Sequence, residues 1–137
     1  TLGEFQARLV KFLRDIPEDE SGAGNPQNAM TAETIKEIVE ANYTDSGLGV
    51  AMIADMLKIS TSKVGKVFKE NARMTIPEYI NHVRLTKAVE WMENSKLSIG
   101  EIMQKVGIEN ESHFYKVFKA KFGTTPRDYM VRRSIGE

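Results

Sequence analysis

Two sets of side chains in this sequence have the types and spacing of a surface that could meet nucleic acid. They are Ser62, Lys66 and Lys69, then Ser112, Lys116 and Lys119. Steps of three and four residues place each set on one face of a helix. A hydroxyl and two ammonium groups there offer hydrogen bonds to phosphate oxygens and to acceptors on base edges. A single lysine stripe is usually a solvated helix face. Two matched stripes, 50 residues apart, are a different matter.

The surroundings repeat as well. Lys66, Val67, Phe68 and Lys69 recur as Lys116, Val117, Phe118 and Lys119; Thr75 recurs as Thr125 and Tyr79 as Tyr129. Upstream the offset is 49: Ile53 recurs as Ile102, Leu57 as Val106 and Ile59 as Ile108. One residue inserted near the second turn accounts for the change. Each copy reads as a short apolar helix, a turn of three or four residues and a second helix with a basic face, which is a helix-turn-helix. In such a unit the second helix enters the major groove. At about 100° per residue, Val64, Val67 and Phe68 turn inward in the first copy, and Phe114, Val117 and Phe118 in the second. Lys63 and Gly65 flank the first outward face, His113 and Tyr115 the second.

The elements that must hold these faces are all helical. Residues 1–16 form an amphipathic pattern on Leu2, Phe5, Leu9, Phe12, Leu13 and Ile16, stopped by Pro17. Residues 17–30 are acidic, rich in Gly, Pro and Asn and without period, and read as a flexible linker. Thr31 then suggests a cap for a helix over about 32–43. The first unit covers about 50–71, a linking helix opened by Ile76 and Pro77 about 76–93, and the second unit about 98–122. Ser98 caps the start of the second unit, Gly107 marks its turn and Gly123 ends its last helix. A final helix begins at Thr125 and Pro126. No segment alternates like a strand.

Over about 100 residues, from Ile35 to Arg133, the chain resembles the AraC/XylS family of transcription regulators. Residues 53–62 (IADMLKISTS) resemble the family's first helix-turn-helix. Phe68, Lys69, Glu70, Pro77, Glu78, Tyr79, Ile80, Arg84, Leu85 and Ala88 resemble its middle. The strongest match is the signature of the second unit: residues 98–102 (SIGEI), Val106, Gly107, Ser112, Phe114, Phe118, Lys119, Phe122, Gly123, Thr125, Pro126 and Tyr129. The resemblance implies an all-α fold of two helix-turn-helix subdomains joined by a long central helix. It also implies recognition helices that enter adjacent major grooves of double-stranded DNA about one turn, or 10 bp, apart. By position, base contact falls on Ser62, Gly65 and Lys66 in the first unit. In the second it falls on Glu111, Ser112, Tyr115 and Lys116. Ser60 and Asn110 stand at helix starts, where amides and short side chains can meet phosphates. With Thr61, Lys63, Lys69, His113 and Lys119 these make the candidate interface. Contact with RNA polymerase, and hence activation, is the outcome the family favours.

The sequence departs from the family pattern in several places. Gly65 offers no side chain at a reading position. Met103 and Ile108 stand where Ala and Phe are usual, and look like repacked core. Glu109 and Glu111 bring negative charge toward the second groove. An acid there can accept from a cytosine amine or repel phosphate. Arg84 has two readings, a phosphate contact or a solvent or acidic partner. His113 and Glu109 read as an i,i+4 surface pair. Tyr79 and Tyr129 read as core residues with one hydrogen bond each, and Trp91 as packing.

Composition narrows the remaining functions. The chain has no Cys, which excludes disulfides, thiolate metal sites and Cys nucleophiles and fits a cytoplasmic setting. His82 and His113 are the only histidines, and neither has a nucleophile or metal-ligand partner at useful spacing. With no Gly-rich phosphate fingerprint either, catalysis, a metal and a cofactor are not expected. No apolar run could span a bilayer, so no membrane association is expected. Basic and acidic residues balance at 19 each, but residues 1–30 hold three basic and five acidic ones. The remainder is therefore weakly basic. Near-neutral charge keeps one alternative open, a helix-turn-helix used as a protein-interaction module. Residues 1–16 fit the end of an upstream sensor or dimerisation region, through which the chain could form a homodimer, or else a helix packed back on its own domain.

Overall fold

A computed structural model describes residues 26–136, which contain seven helices and no strand. They are α1 (Pro26–Asn42), α2 (Val50–Leu57), α3 (Thr61–Ala72), α4 (Ile76–Asn94), α5 (Ile99–Val106), α6 (Glu111–Phe122) and α7 (Pro126–Gly136). The amphipathic pattern over 1–16 and most of the linker lie outside the described residues. The last five residues of that linker, 26–30, are helical instead. Pro26 stands at the first helical position, where its fixed φ helps and its missing N–H costs nothing. Nothing in Gln27, Asn28, Ala29 or Met30 interrupts the turn. Thr31 is consequently inside the helix and is no cap: its hydroxyl donates to the Gln27 carbonyl at 3.0 Å.

The chain forms two compact units. The first comprises residues 26–38 and 49–77, the second 39–48 and 78–136. In the first, Ala32 and Ile35 of α1, Ile53 and Ala54 of α2, Val64, Val67 and Phe68 of α3 and Ile76 of α4 are buried. In the second, Leu85, Ala88 and Met92 of α4 meet Ile102, Met103 and Val106 of α5, Ile108, and Phe114 and Phe118 of α6 in one core. Each fully buried Phe or Ile stabilises its unit by about 1.5–3 kcal/mol. Val117, Trp91 and Tyr129 are half-buried against the second core. The hydroxyl of Tyr79 donates to Glu40 Oε1 at 3.1 Å and that of Tyr129 to Glu93 Oε1 at 2.6 Å.

The two turns are built alike. Helix α2 closes on Lys58 and α5 on Gly107, both in the left-handed region, at φ 60° and 81°. The amide of the next residue reaches five residues back: Ile59 to Ala54 O at 3.2 Å, Ile108 to Met103 O at 3.0 Å. This pairing satisfies a carbonyl that the helix end would leave exposed. Both second helices also close on a left-handed residue, Arg73 (φ 63°) for α3 and Gly123 (φ 75°) for α6, whose own amide reaches four residues back, to Lys69 O at 3.0 Å and Lys119 O at 2.8 Å.

Candidate nucleic-acid interface

The second helix of each unit carries its polar face outward. Helix α3 starts at Ser60, whose Oγ accepts from the Lys63 amide at 3.1 Å. Helix α6 starts at Asn110, whose Oδ1 accepts from the His113 amide at 2.9 Å. Both side-chain oxygens thus cap their helices and cover one of the orphan amides. Thr61, Ser62, Lys63, Lys66 and Lys69 on α3 are exposed, as are Glu111, Ser112, His113, Lys116 and Lys119 on α6. Among the described residues, none of the five lysine ammonium groups meets a carboxylate. An exposed, unpaired ammonium group keeps its full attraction for phosphate.

Two candidate residues are only half-exposed. Gly65 is one, and a Cβ added there would meet nothing within 4 Å. Tyr115 is the other, packed against the second core with its ring edge-on to Phe114 at 6.3 Å. On the inner side of α6, Phe118 lies 5.7 Å from Phe114, 4.7 Å from Phe122 and 6.0 Å from Tyr129 between ring centroids. That stack fixes the rotation of α6 about its axis, and so which residues point out.

Two expectations need correction. Arg84 is buried, and its hydrogen bonds go to backbone carbonyls rather than to solvent or an acidic side chain. Its Nε donates to the Tyr43 carbonyl at 3.0 Å and its Nη2 to the Asp45 carbonyl at 2.7 Å. The loop at 43–48 has carbonyls with no helical partner, and the guanidinium fork satisfies two of them. Burial holds this group below its ordinary pKa, with Asp45 pulling the other way. Glu109 does not pair with His113, because it precedes α6 and accepts from Ser46 Oγ at 3.0 Å. The involvement of loop 43–48 was missed altogether. Its partners are 39 to 63 residues away in sequence, and no periodicity marks them.

A family model described as "Helix-turn-helix domain" matches residues 53–132, which run from within α2 into α7. The chain belongs to the AraC/XylS family. Among its AraC/XylS relatives, it is 32% identical over 128 residues to the Msm operon regulatory protein of Streptococcus mutans, a match covering 93% of this chain and 46% of that protein. The chain thus spans less than half the length of that relative. The C-terminal domain of the two-component response regulator yesN from Fusobacterium nucleatum superposes with a TM-score of 0.68 at 30% identity, over 72% of this chain and 95% of that domain. The DNA-binding domain of AdpA, solved in complex with a target DNA, shares the fold at 15% identity, with a TM-score of 0.68 over 74% of this chain and 90% of that one. Among the described residues, no helix is long and apolar enough to cross a membrane.

Proposed function

We propose that this chain is the DNA-binding part of an AraC/XylS transcription regulator, placing α3 and α6 in adjacent major grooves of double-stranded DNA. The observation that carries the reading is the matched pair of exposed faces, each with a serine and two unpaired lysines on the second helix of a turn motif. Membership in a regulator family and the DNA-bound AdpA domain of the same fold support it. The lysines supply most of the affinity by displacing counterions from phosphates. Ser62, Lys66, Glu111, Ser112, Tyr115 and Lys116 supply sequence preference at base edges. Ser60, Thr61, Lys63, Lys69, Asn110, His113 and Lys119 border the contact. The chain acts without cofactor, metal or catalysis, in the cytoplasm. In the longer regulator it works with RNA polymerase as an activator, and an upstream region or residues 1–16 provide a homodimer contact.

The test is selection from a random double-stranded DNA pool, with the bound fraction sequenced at two salt concentrations. A bipartite site with centres about 10 bp apart is expected, bound more weakly at high salt. Enrichment of one half-site would restrict reading to one unit. No binding even at low salt would overturn the proposal.

A further inference from the structure

The extra residue of the second turn is Glu109. Ile59 and Ile108 hold one place in the two turns, each with its amide bonded five residues back. Ser60 and Asn110 hold the next common place, each as the cap of the following helix. In the first turn these two places are adjacent in sequence. In the second, Glu109 stands between them.

Its side chain has a destination. Glu109 Oε1 accepts from Ser46 Oγ at 3.0 Å, and Ser46 belongs to loop 43–48 of the same unit. That loop is held on several sides. Arg84 donates to two of its carbonyls. The Gly47 amide donates to Asp45 Oδ1 at 2.8 Å, and the Leu48 amide to Asp45 O at 3.1 Å, with Leu48 itself buried. Gly107 presses its backbone against the carbonyls of Tyr43 and Thr44. The loop is therefore a firm support, and the bond from Ser46 reaches the last residue before the cap of α6. Two residues on, Glu111 is exposed and makes no hydrogen bond or ion pair among the described residues. The two acids of this turn thus differ: one is engaged within the unit, the other is open.

We propose that Glu109 is a positioning residue, whose bond to Ser46 fixes the start of recognition helix α6 on loop 43–48. Its carboxylate neither reads a base nor serves to repel phosphate. The inference rests on the DNA-binding reading above. A helix of 12 residues is about 18 Å long. A small shift at its first residue displaces the reading face along its length, and hydrogen bonds to bases tolerate little misplacement.

Glu109→Gln, Glu109→Ala, Ser46→Ala and the Ser46→Ala/Glu109→Ala double variant separate the possibilities, assayed on the DNA selected by the unaltered chain. Gln keeps an acceptor for the Ser46 hydroxyl; Ala does not. Glu109→Gln is expected to bind within about twofold of the unaltered chain. Each Ala variant should bind about 3- to 10-fold more weakly, and the double variant no more weakly than the worse single one. In the DNA-free chain, the amide signals of residues 110–112 should move in both Ala variants and stay in place in Glu109→Gln. Equal tightening by Glu109→Gln and Glu109→Ala would make Glu109 a repelling charge and overturn the proposal. A changed base preference in Glu109→Gln would make it a reader, with the same consequence. Unmoved amide signals in Ser46→Ala would show the bond to be idle. If the unaltered chain binds no DNA, the DNA-binding reading fails, while the amide signals still decide whether the bond positions α6.

Discussion

Lys66 and Lys116 hold one place in the repeat but have different neighbours. Lys116 follows Tyr115, whose ring rests on the second core. Lys66 follows Gly65, which presents nothing. Lys116→Ala is expected to lower DNA affinity and to reduce the slope of log affinity against log salt by about one. Unchanged affinity across a salt series would remove α6 from the interface. Gly65→Ala should stabilise the chain by about 1 kcal/mol, because Gly is a poor helix former and the added methyl has open space. Urea unfolding of the two proteins measures this directly. A drop in DNA affinity in the same variant would mean that DNA comes within contact distance of the Gly65 backbone. Helical periodicity made the inward and outward faces legible: Val64, Val67, Phe68, Phe114 and Phe118 are all buried. Arg84 and Glu109 were not legible. Both are polar side chains satisfied by a distant loop, and period carries no information about such a partner.

At the scale of the element, the two copies show how much a turn depends on what lies against it. Gly107 has a left-handed backbone, and a Cβ there would fall on the Tyr43 carbonyl oxygen. Gly107→Ala should therefore destabilise by about 2–5 kcal/mol, from backbone strain plus overpacking. At the matching place, Lys58 adopts the same conformation with a side chain present. Lys58→Gly is expected to stabilise by about 1 kcal/mol, by relieving the left-handed penalty of a non-Gly residue. The opposite signs of these two substitutions, read from denaturation midpoints, check the account. The turn at Gly107 was legible because glycine announces a left-handed residue. Its partner at Lys58 was not legible, because a lysine gives no sign of a left-handed backbone. The start of α1 was placed too late because residues 17–30 read as one linker from their composition, although a proline in a first turn favours the helix.

For the whole molecule, one titrating group makes a clear statement about acid. His82 on α4 faces Lys121 of α6, with Nδ1 and Nζ 2.8 Å apart. Partial burial, and then the Lys121 cation, hold His82 below its ordinary pKa of about 6.5. The unfolded chain therefore binds this proton more readily than the folded one, and stability rises with pH across the window. The contribution is fully present above about pH 6.5 and is lost as pH falls from there toward the lower folded value. Urea unfolding between pH 7.5 and 5 should show this decline, and His82→Gln should flatten it. An equal slope in both proteins would place the acid sensitivity elsewhere.

The repeat in the sequence invites a view of two interchangeable cassettes, but the second unit is assembled from two separate stretches of chain. Residues 39–48 are part of it although the whole α2–α3 turn motif intervenes. A fragment cut at the start of α4 would leave Arg84 without its carbonyls, Glu109 without Ser46 and Gly107 facing empty space. Grafting new operator specificity into this scaffold by exchanging residues 98–122 alone would import a turn mismatched to its seat. A chimera that moves residues 39–48 together with its donor's turn keeps lock and key from the same parent.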